Sequence, residues 1–391
     1  MDWFLIITSL IKSAVFLGIV LTLVPVAVYL ERRVSAIIQD RVGPNRVGLP
    51  LTLLGFKQDF SFFGLFQPAA DGIKLFLKED FTPTHVNKLY YWLAPALVLI
   101  PSIISSCVLP FGSPLVIPEG VWLIGGRTIP LSIANVDAGP LFIFAIASLS
   151  VYGIVLAGWS SNSKYPFLGG VRSSAQMISY EIALGLALIP VLLVFGNLNL
   201  NEIVETQSRE GWLLLPIAFG QGETKSITDL KDWLVWIPAF IAFLIFTVSL
   251  FAETNRAPFD MPECETELVA GYHTEYSSMK FALFFMGEYA AMIVGSALVV
   301  TLFFGGWSLP LGLDNFLRDG QGVLPWWCSF LHLGVFLAKV VAFVVFFIWV
   351  RWTVPRFRYD QLMHLGWVIF FEAALANVMI TALILALCRN L

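Results

Sequence analysis

Long apolar runs separated by shorter polar intervals dominate the chain. A helix needs about 20 apolar residues to cross a bilayer, and eight stretches meet that length: 4–30, 89–109, 140–158, 177–196, 233–252, 281–306, 329–350 and 362–387. The pattern predicts an all-α integral membrane protein, a single polytopic domain over residues 1–391 with eight transmembrane helices. Between the runs lie four structured loops on one side, 31–88, 159–176, 253–280 and 351–361, and an even number of crossings puts both termini on the other.

The polar intervals carry weaker periodicities. In "QPAADGIKLFLKEDF" (67–81), Ala69, Ala70, Ile73, Phe76 and Leu77 fall on one helical stripe and Asp71, Lys74 and Lys78 on another. That predicts a short amphipathic helix with Pro68 near its start, lying at the interface or covering the end of the bundle. Asp260-x-x-Glu263 reads as a capping box, with Pro262 in the first turn and Gly271 as a stop, so a short helix is expected over about 261–270. The Gly, Glu, Thr, Lys and Asp content of 201–232 suggests a solvated excursion on the terminus side.

Composition sharpens the membrane reading. The chain is 58% hydrophobic and 13% charged, against about 45–50% and about 25% in soluble domains. A net charge of -4 without a basic block gives no sign of a nucleic-acid partner. Cys107, Cys264, Cys328 and Cys388 are too far apart in sequence for a C-x-x-C pair, so no metal or iron–sulfur site is expected in this chain. The first apolar run lacks a basic leader and a small-residue cleavage site and reads as a spanning helix. Fifteen Lys and Arg residues fall in the four named loops and six on the opposite side, which places those loops inside and both termini on the periplasmic or intermembrane side.

Charges within the spans are the sharpest candidates for chemistry, because an ionised side chain at a helix centre costs about 2.5–3.5 kcal/mol on insertion scales. Lys12, Glu181, Glu288, Lys339 and Glu372 stand there. Snorkelling or a structural ion pair explains Lys12 and Glu372 as well as any function does; Glu288 and Lys339 sit deeper in their runs. The stretch 252–276 adds Glu253, Asp260, Glu263, Glu265, Glu267 and Glu275 around one arginine, Arg256. Helix capping covers Glu263 and part of Glu265. Carboxylates this crowded titrate as a coupled set and respond to a nearby change of charge, which suits the input end of a proton relay.

Several blocks then resemble one family. "ERRVSAIIQDRVGPNRVG" (31–48), "QPAADGIKLFLKED" (67–80), "SAQMISYEIALG" (174–185), "AETNRAPFD" (252–260), "ELVAGYHTEY" (267–276) and "PRFRYDQLM" (355–363) are similar to subunit 1, also called the H subunit, of proton-pumping NADH:quinone oxidoreductase, respiratory complex I. The resemblance covers about residues 15–388. It implies a subunit of that enzyme, not catalytic alone, in a bacterial or mitochondrial inner membrane. It also implies quinone as the substrate, with FMN and iron–sulfur clusters in partner subunits, and inner loops docked against the quinone-site subunits. By motif, Glu31, Arg32, Asp71, Glu79, Arg256 and Asp260 belong to the quinone chamber. Glu181, Glu253, Glu263, Glu265, Glu267, Glu275, Glu288, Lys339 and Arg351 belong to a charged path leading from it. Two features depart from the family pattern: the length of the segment around 206–232, and a carboxylate at Glu372. The nearest rival is the equivalent subunit of a membrane-bound hydrogenase or a ferredoxin- or coenzyme-F420-fed complex. A stand-alone cation/proton antiporter would not need large docking loops, and a bare anchor leaves Glu288 and Lys339 unexplained.

Overall fold

The computed structural model describes residues 3–48, 63–116, 128–215, 230–262, 268–318 and 324–390. Its helices are α1 (Trp3–Ile38), α2 (Gln67–Leu77), α3 (Lys88–Ile104), α4 (Gly139–Ala147), α5 (Leu149–Ser160), α6 (Lys164–Phe195), α7 (Leu200–Glu210), α8 (Leu230–Glu253), α9 (Ser278–Phe303), α10 (Cys328–Thr353), α11 (Tyr359–His364) and α12 (Phe371–Asn390). A π-helical stretch, Leu365–Phe370, joins the last two. The described residues include eight helical stretches long and apolar enough to span a membrane, with α4–α5 and α11–α12 each forming one of them. A two-stranded antiparallel ribbon, β1 (Leu115–Val116) with β2 (Thr128–Ile129), is the sheet structure among them.

The bundle is built around α9, whose residues from Met292 to Phe303 are all buried. A helix apolar on every side belongs in the middle of a bundle. α1 packs on α10 and α9, α3 on α5 and α9, and α6 on α5, α8 and α12. Val98 of α3 shows how closely these meet. A Cβ added to Gly153 of α5 or Gly287 of α9 would approach its methyls to 2.6 and 2.8 Å, so the small residues set the helix spacing.

Four boundaries differ from the hydropathy reading. α1 continues to Ile38, eight residues past the predicted end at 30, because burial of Glu31, Ser35 and Ala36 holds the extra turns. α6 begins at Lys164, so most of the expected loop 159–176 is helix. Its buried face there is small and polar, with Gly169, Gly170, Ser173 and Gln176, and hydropathy does not detect it. α2 follows its predicted stripe but stops at Leu77. The expected solvated excursion after residue 200 begins as α7, which buries Leu200, Ile203 and Val204, while 216–229 lie outside the described residues. Of the helix expected over 261–270, Met261 and Pro262 form a turn, and 263–267 lie outside the described residues.

Candidate functional site

α1, α2 and α9 enclose a cavity of about 670 Å³. Leu21, Val24, Pro25 and Val28 of α1, Leu75 and Phe76 of α2, and Phe281, Phe285 and Met286 of α9 make most of it apolar. Charge gathers toward the C-terminal end of α1, at Glu31, Arg32, Asp71, Tyr289 and Arg351, and Ser35, Arg41 and Lys74 add further polar groups to the lining. Arg32 and Asp71 form an ion pair at 2.5 Å that ties α1 to α2.

Glu31 is the hub of the charged end. It is 8% exposed and accepts from Arg256 Nη1 at 3.3 Å, from Arg351 Nη1 and from the Tyr289 hydroxyl. The Arg256 guanidinium also lies over the Tyr289 ring, 4.0 Å from its centroid. Burial alone lowers the pKa of Arg256, but Tyr289, Glu31 and Glu288 raise it further, to a net value above that of an ordinary arginine. Arg256 is therefore cationic in its buried position.

Arg256 reaches this point because of how α8 ends. Asn255 adopts a left-handed φ of 51°, and Arg256 N donates to Phe251 O at 3.2 Å while Asn255 N donates to Ala252 O at 3.3 Å. That is a Schellman stop with Asn in the position where glycine is commonest. Gln176 of α6, fully buried, donates through Nε2 to Ala252 O and Phe259 O, both at 2.7 Å. Asp260, the next residue, pairs with Arg356 at 2.9 Å.

A small polar cavity of about 10 Å³ lies behind this loop, between Arg256, Asp260, Glu288 and Arg351. Glu288 accepts from the Tyr272 hydroxyl at 2.7 Å, while its neighbour Tyr289 turns to Glu31. Glu181 of α6 and Glu253, at the end of α8, lie in membrane-spanning helices and line neither cavity. Of the expected chamber set, Glu31, Arg32 and Asp71 line the large cavity and Arg256 and Asp260 the small one. Glu79 is exposed beyond α2 and lines neither cavity. Arg351, expected further along the path, lines both. Glu275 is half-buried, its carbonyl accepting from the Tyr91 hydroxyl at 2.6 Å. Glu263, Glu265 and Glu267 lie outside the described residues.

The NADH dehydrogenase family profile matches residues 11–382. The NADH-quinone oxidoreductase H subunit of Leptospira biflexa serovar Patoc is 46% identical over 368 residues, covering 94% of this chain and 92% of that protein. An H subunit of the same enzyme from Geobacter metallireducens is 45% identical, covering 97% and 96%, and that of Flavobacterium psychrophilum 40%, covering 99% of each. The chain belongs to the H-subunit family of NADH-quinone oxidoreductase. Full-length similarity to relatives so named favours that assignment over a hydrogenase subunit, an antiporter or an anchor.

This member of the family has a second buried polar group, some way from the first. Lys339 of α10 donates to the carbonyls of Phe304 at 2.8 Å, Gly306 at 2.9 Å and Ser308 at 2.6 Å, with its ammonium 4.0 Å from the Trp212 ring centroid. These carbonyls follow the end of α9, about 22 Å along that helix from Tyr289 at 1.5 Å per residue. Lys339 is therefore not in the Glu31 cluster. Nearby, His332 is held between Ser113 Oγ at 2.9 Å and Asp314 Oδ1 at 3.0 Å. Asp314 Oδ2 also accepts from Ser208 at 2.9 Å and from Leu309 N at 3.0 Å. Sequence reading missed Tyr289, Gln176, Arg356, His332 and Asp314. Only Gln176 and Arg356 carried a signal, since both fall in blocks shared with the family.

Proposed function

We propose that this chain forms the membrane-side wall of a quinone-binding chamber in NADH-quinone oxidoreductase and couples quinone reduction to proton movement. Family membership makes it a multi-pass membrane subunit of complex I, with the other subunits of that complex as its partners. Electrons would reach the quinone from partner subunits carrying FMN and iron–sulfur clusters. The observation that carries the reading is the 670 Å³ cavity, mostly apolar along α1 and α9, with charge gathered toward the C-terminal end of α1 and on α2. An isoprenoid tail suits the first part and a headgroup that takes up two electrons and two protons suits the second.

Proton coupling follows from what stands behind the headgroup end. Glu31 is poised between two guanidiniums and a phenol, and the small polar cavity leads from Arg256 and Arg351 to Glu288. A change of charge on the headgroup is felt strongly over a few ångströms where water is scarce. Glu288, Glu253 and Glu181 are the groups in the spans placed to respond; Glu263, Glu265, Glu267 and Glu275 join them on sequence grounds. Both termini lie outside by the basic-loop asymmetry. A reporter fused after Leu391 should be active only on that side.

The direct test is labelling of the assembled complex with a photoreactive quinone analogue. Crosslinks should fall on α1 between Leu21 and Arg32, on α2, or on the first half of α9, and should be competed by substrate quinone. Crosslinks confined to the terminus-side loops would remove the chamber reading.

A further inference from the structure

We infer that Gln176 is a positioning residue for the quinone site: its amide sets the register of the 252–260 loop and through it the contact of Arg256 with Glu31. The inference rests on the chamber reading above. Gln176 touches the charged end of the cavity at one remove, through the loop that carries Arg256.

The geometry is specific. A side-chain amide has two N–H hydrogens, and Gln176 Nε2 is 2.7 Å from each of two carbonyls, Ala252 O and Phe259 O. One carbonyl belongs to the last turn of α8, and the other lies seven residues later, past the turn closed by Phe259 N donating to Arg256 O at 2.9 Å. A single nitrogen therefore joins the two ends of the segment that presents Glu253 and Arg256, and Asp260 follows at once. Asn255, between them, is held from the same helix face: Ser173 Oγ is 3.4 Å from its Oδ1, and its Nδ2 is 3.7 Å from Met177 Sδ.

Gln176 itself is 0% exposed and belongs to α6, so its position is set by a different element from the loop it holds. Gly169 of the same helix keeps α6 against the next polar segment, where an added Cβ would meet Tyr272 N at 2.8 Å. α6 thus acts as a template for both backbone segments that carry the charged groups. Arg256 is sensitive to register because it makes two directional contacts, one to Glu31 at 3.3 Å and one to the face of Tyr289 at 4.0 Å. A small displacement of the loop weakens both together.

The experiment is a double-mutant cycle in the assembled, membrane-bound complex, with Gln176→Met, Glu31→Gln and the pair. Gln176→Met keeps length and apolar fit and removes both donors. NADH oxidation by a water-soluble acceptor that bypasses quinone reports the partner subunits. Gln176→Met should leave that rate unchanged per complex and lower kcat/KM for quinone by about tenfold. In the pair, the loss should stay within about twofold of that in Glu31→Gln alone, because both act through one contact. Gln176→Asn, whose shorter amide reaches one carbonyl, should fall between parent and Gln176→Met.

Parental quinone kinetics in Gln176→Met overturns the inference. So does a loss that multiplies fully with that of Glu31→Gln, which would make the two residues independent. Failure of both Gln176→Met and Gln176→Asn to assemble also overturns it, by making the residue a folding element. A parental Glu31→Gln would instead point to failure of the chamber reading, so the two failures are separable.

Discussion

Replacing Glu31 by Gln preserves shape and removes the negative charge that two arginines share. At the 3.3 Å separation from Arg256, an effective dielectric constant of about 20 gives an attraction of about 5 kcal/mol. Breaking a buried pair by removing one partner costs about 3–5 kcal/mol. The glutamine oxygen still accepts one hydrogen bond, which argues for the lower end, about 3 kcal/mol. Expressed wholly at the quinone site, that is a factor of about 100, and a half share is about tenfold. The assay compares quinone reduction with the bypass reaction in the same membranes, normalised to assembled complex. The bypass rate should be parental and quinone kcat/KM at least about tenfold lower. A fully assembled Glu31→Gln complex that reduces quinone within about twofold of the parent would refute the assignment of this cluster to the substrate headgroup.

Outcomes at three further residues follow from the remaining polar contacts. Lys339→Met leaves three part-buried carbonyls without their donor, at about 1–3 kcal/mol for each that water does not reach, so immunoblots should show a marked loss of assembled complex. Lys339→Arg should keep assembly and pumping if the residue is a clamp, and lose pumping if it must release a proton. Asp314→Ala removes a buried acceptor shared by His332, Ser208 and Leu309 and should cost about 3–5 kcal/mol. It should appear as a lower unfolding temperature of the purified complex, with an unchanged quinone KM. Asp71→Asn breaks a partly exposed pair worth about 0–1 kcal/mol, so its effect on quinone KM, measured at low and high salt, should stay below about fivefold.

The eight crossings were legible because the bilayer imposes a minimum apolar length, and α2 was legible from its stripe. The ends of α1 and α6 were not, since packing prolongs a helix after hydropathy has fallen. The individual charges of the site were visible one by one, but their pairing was not. Glu31 and Arg256 are 225 residues apart and Glu31 and Arg351 are 320 apart, and no local pattern connects them. Tyr289 hid beside Glu288 as an ordinary aromatic in an apolar run. Lys339 stood out in the sequence as a charge midway along an apolar run. Its partners are backbone carbonyls, and these carry no residue identity to read.

α1 also acts as a ruler. Lys12 donates to the carbonyls of Pro130 and Ser132 at 3.3 and 3.0 Å near one end, and Glu31 is fastened to two arginines near the other. Nineteen residues separate them, about 28 Å of helix, which nearly equals the thickness of a bilayer's hydrocarbon core, about 30 Å. With both ends of that rod pinned, it cannot lengthen, and its freedom to tilt is restricted when the lipid thickens. In a bilayer of another thickness, the mismatch falls on the rod that carries the Glu31 cluster. Hydrophobic mismatch would bear directly on the wall between lipid and cavity.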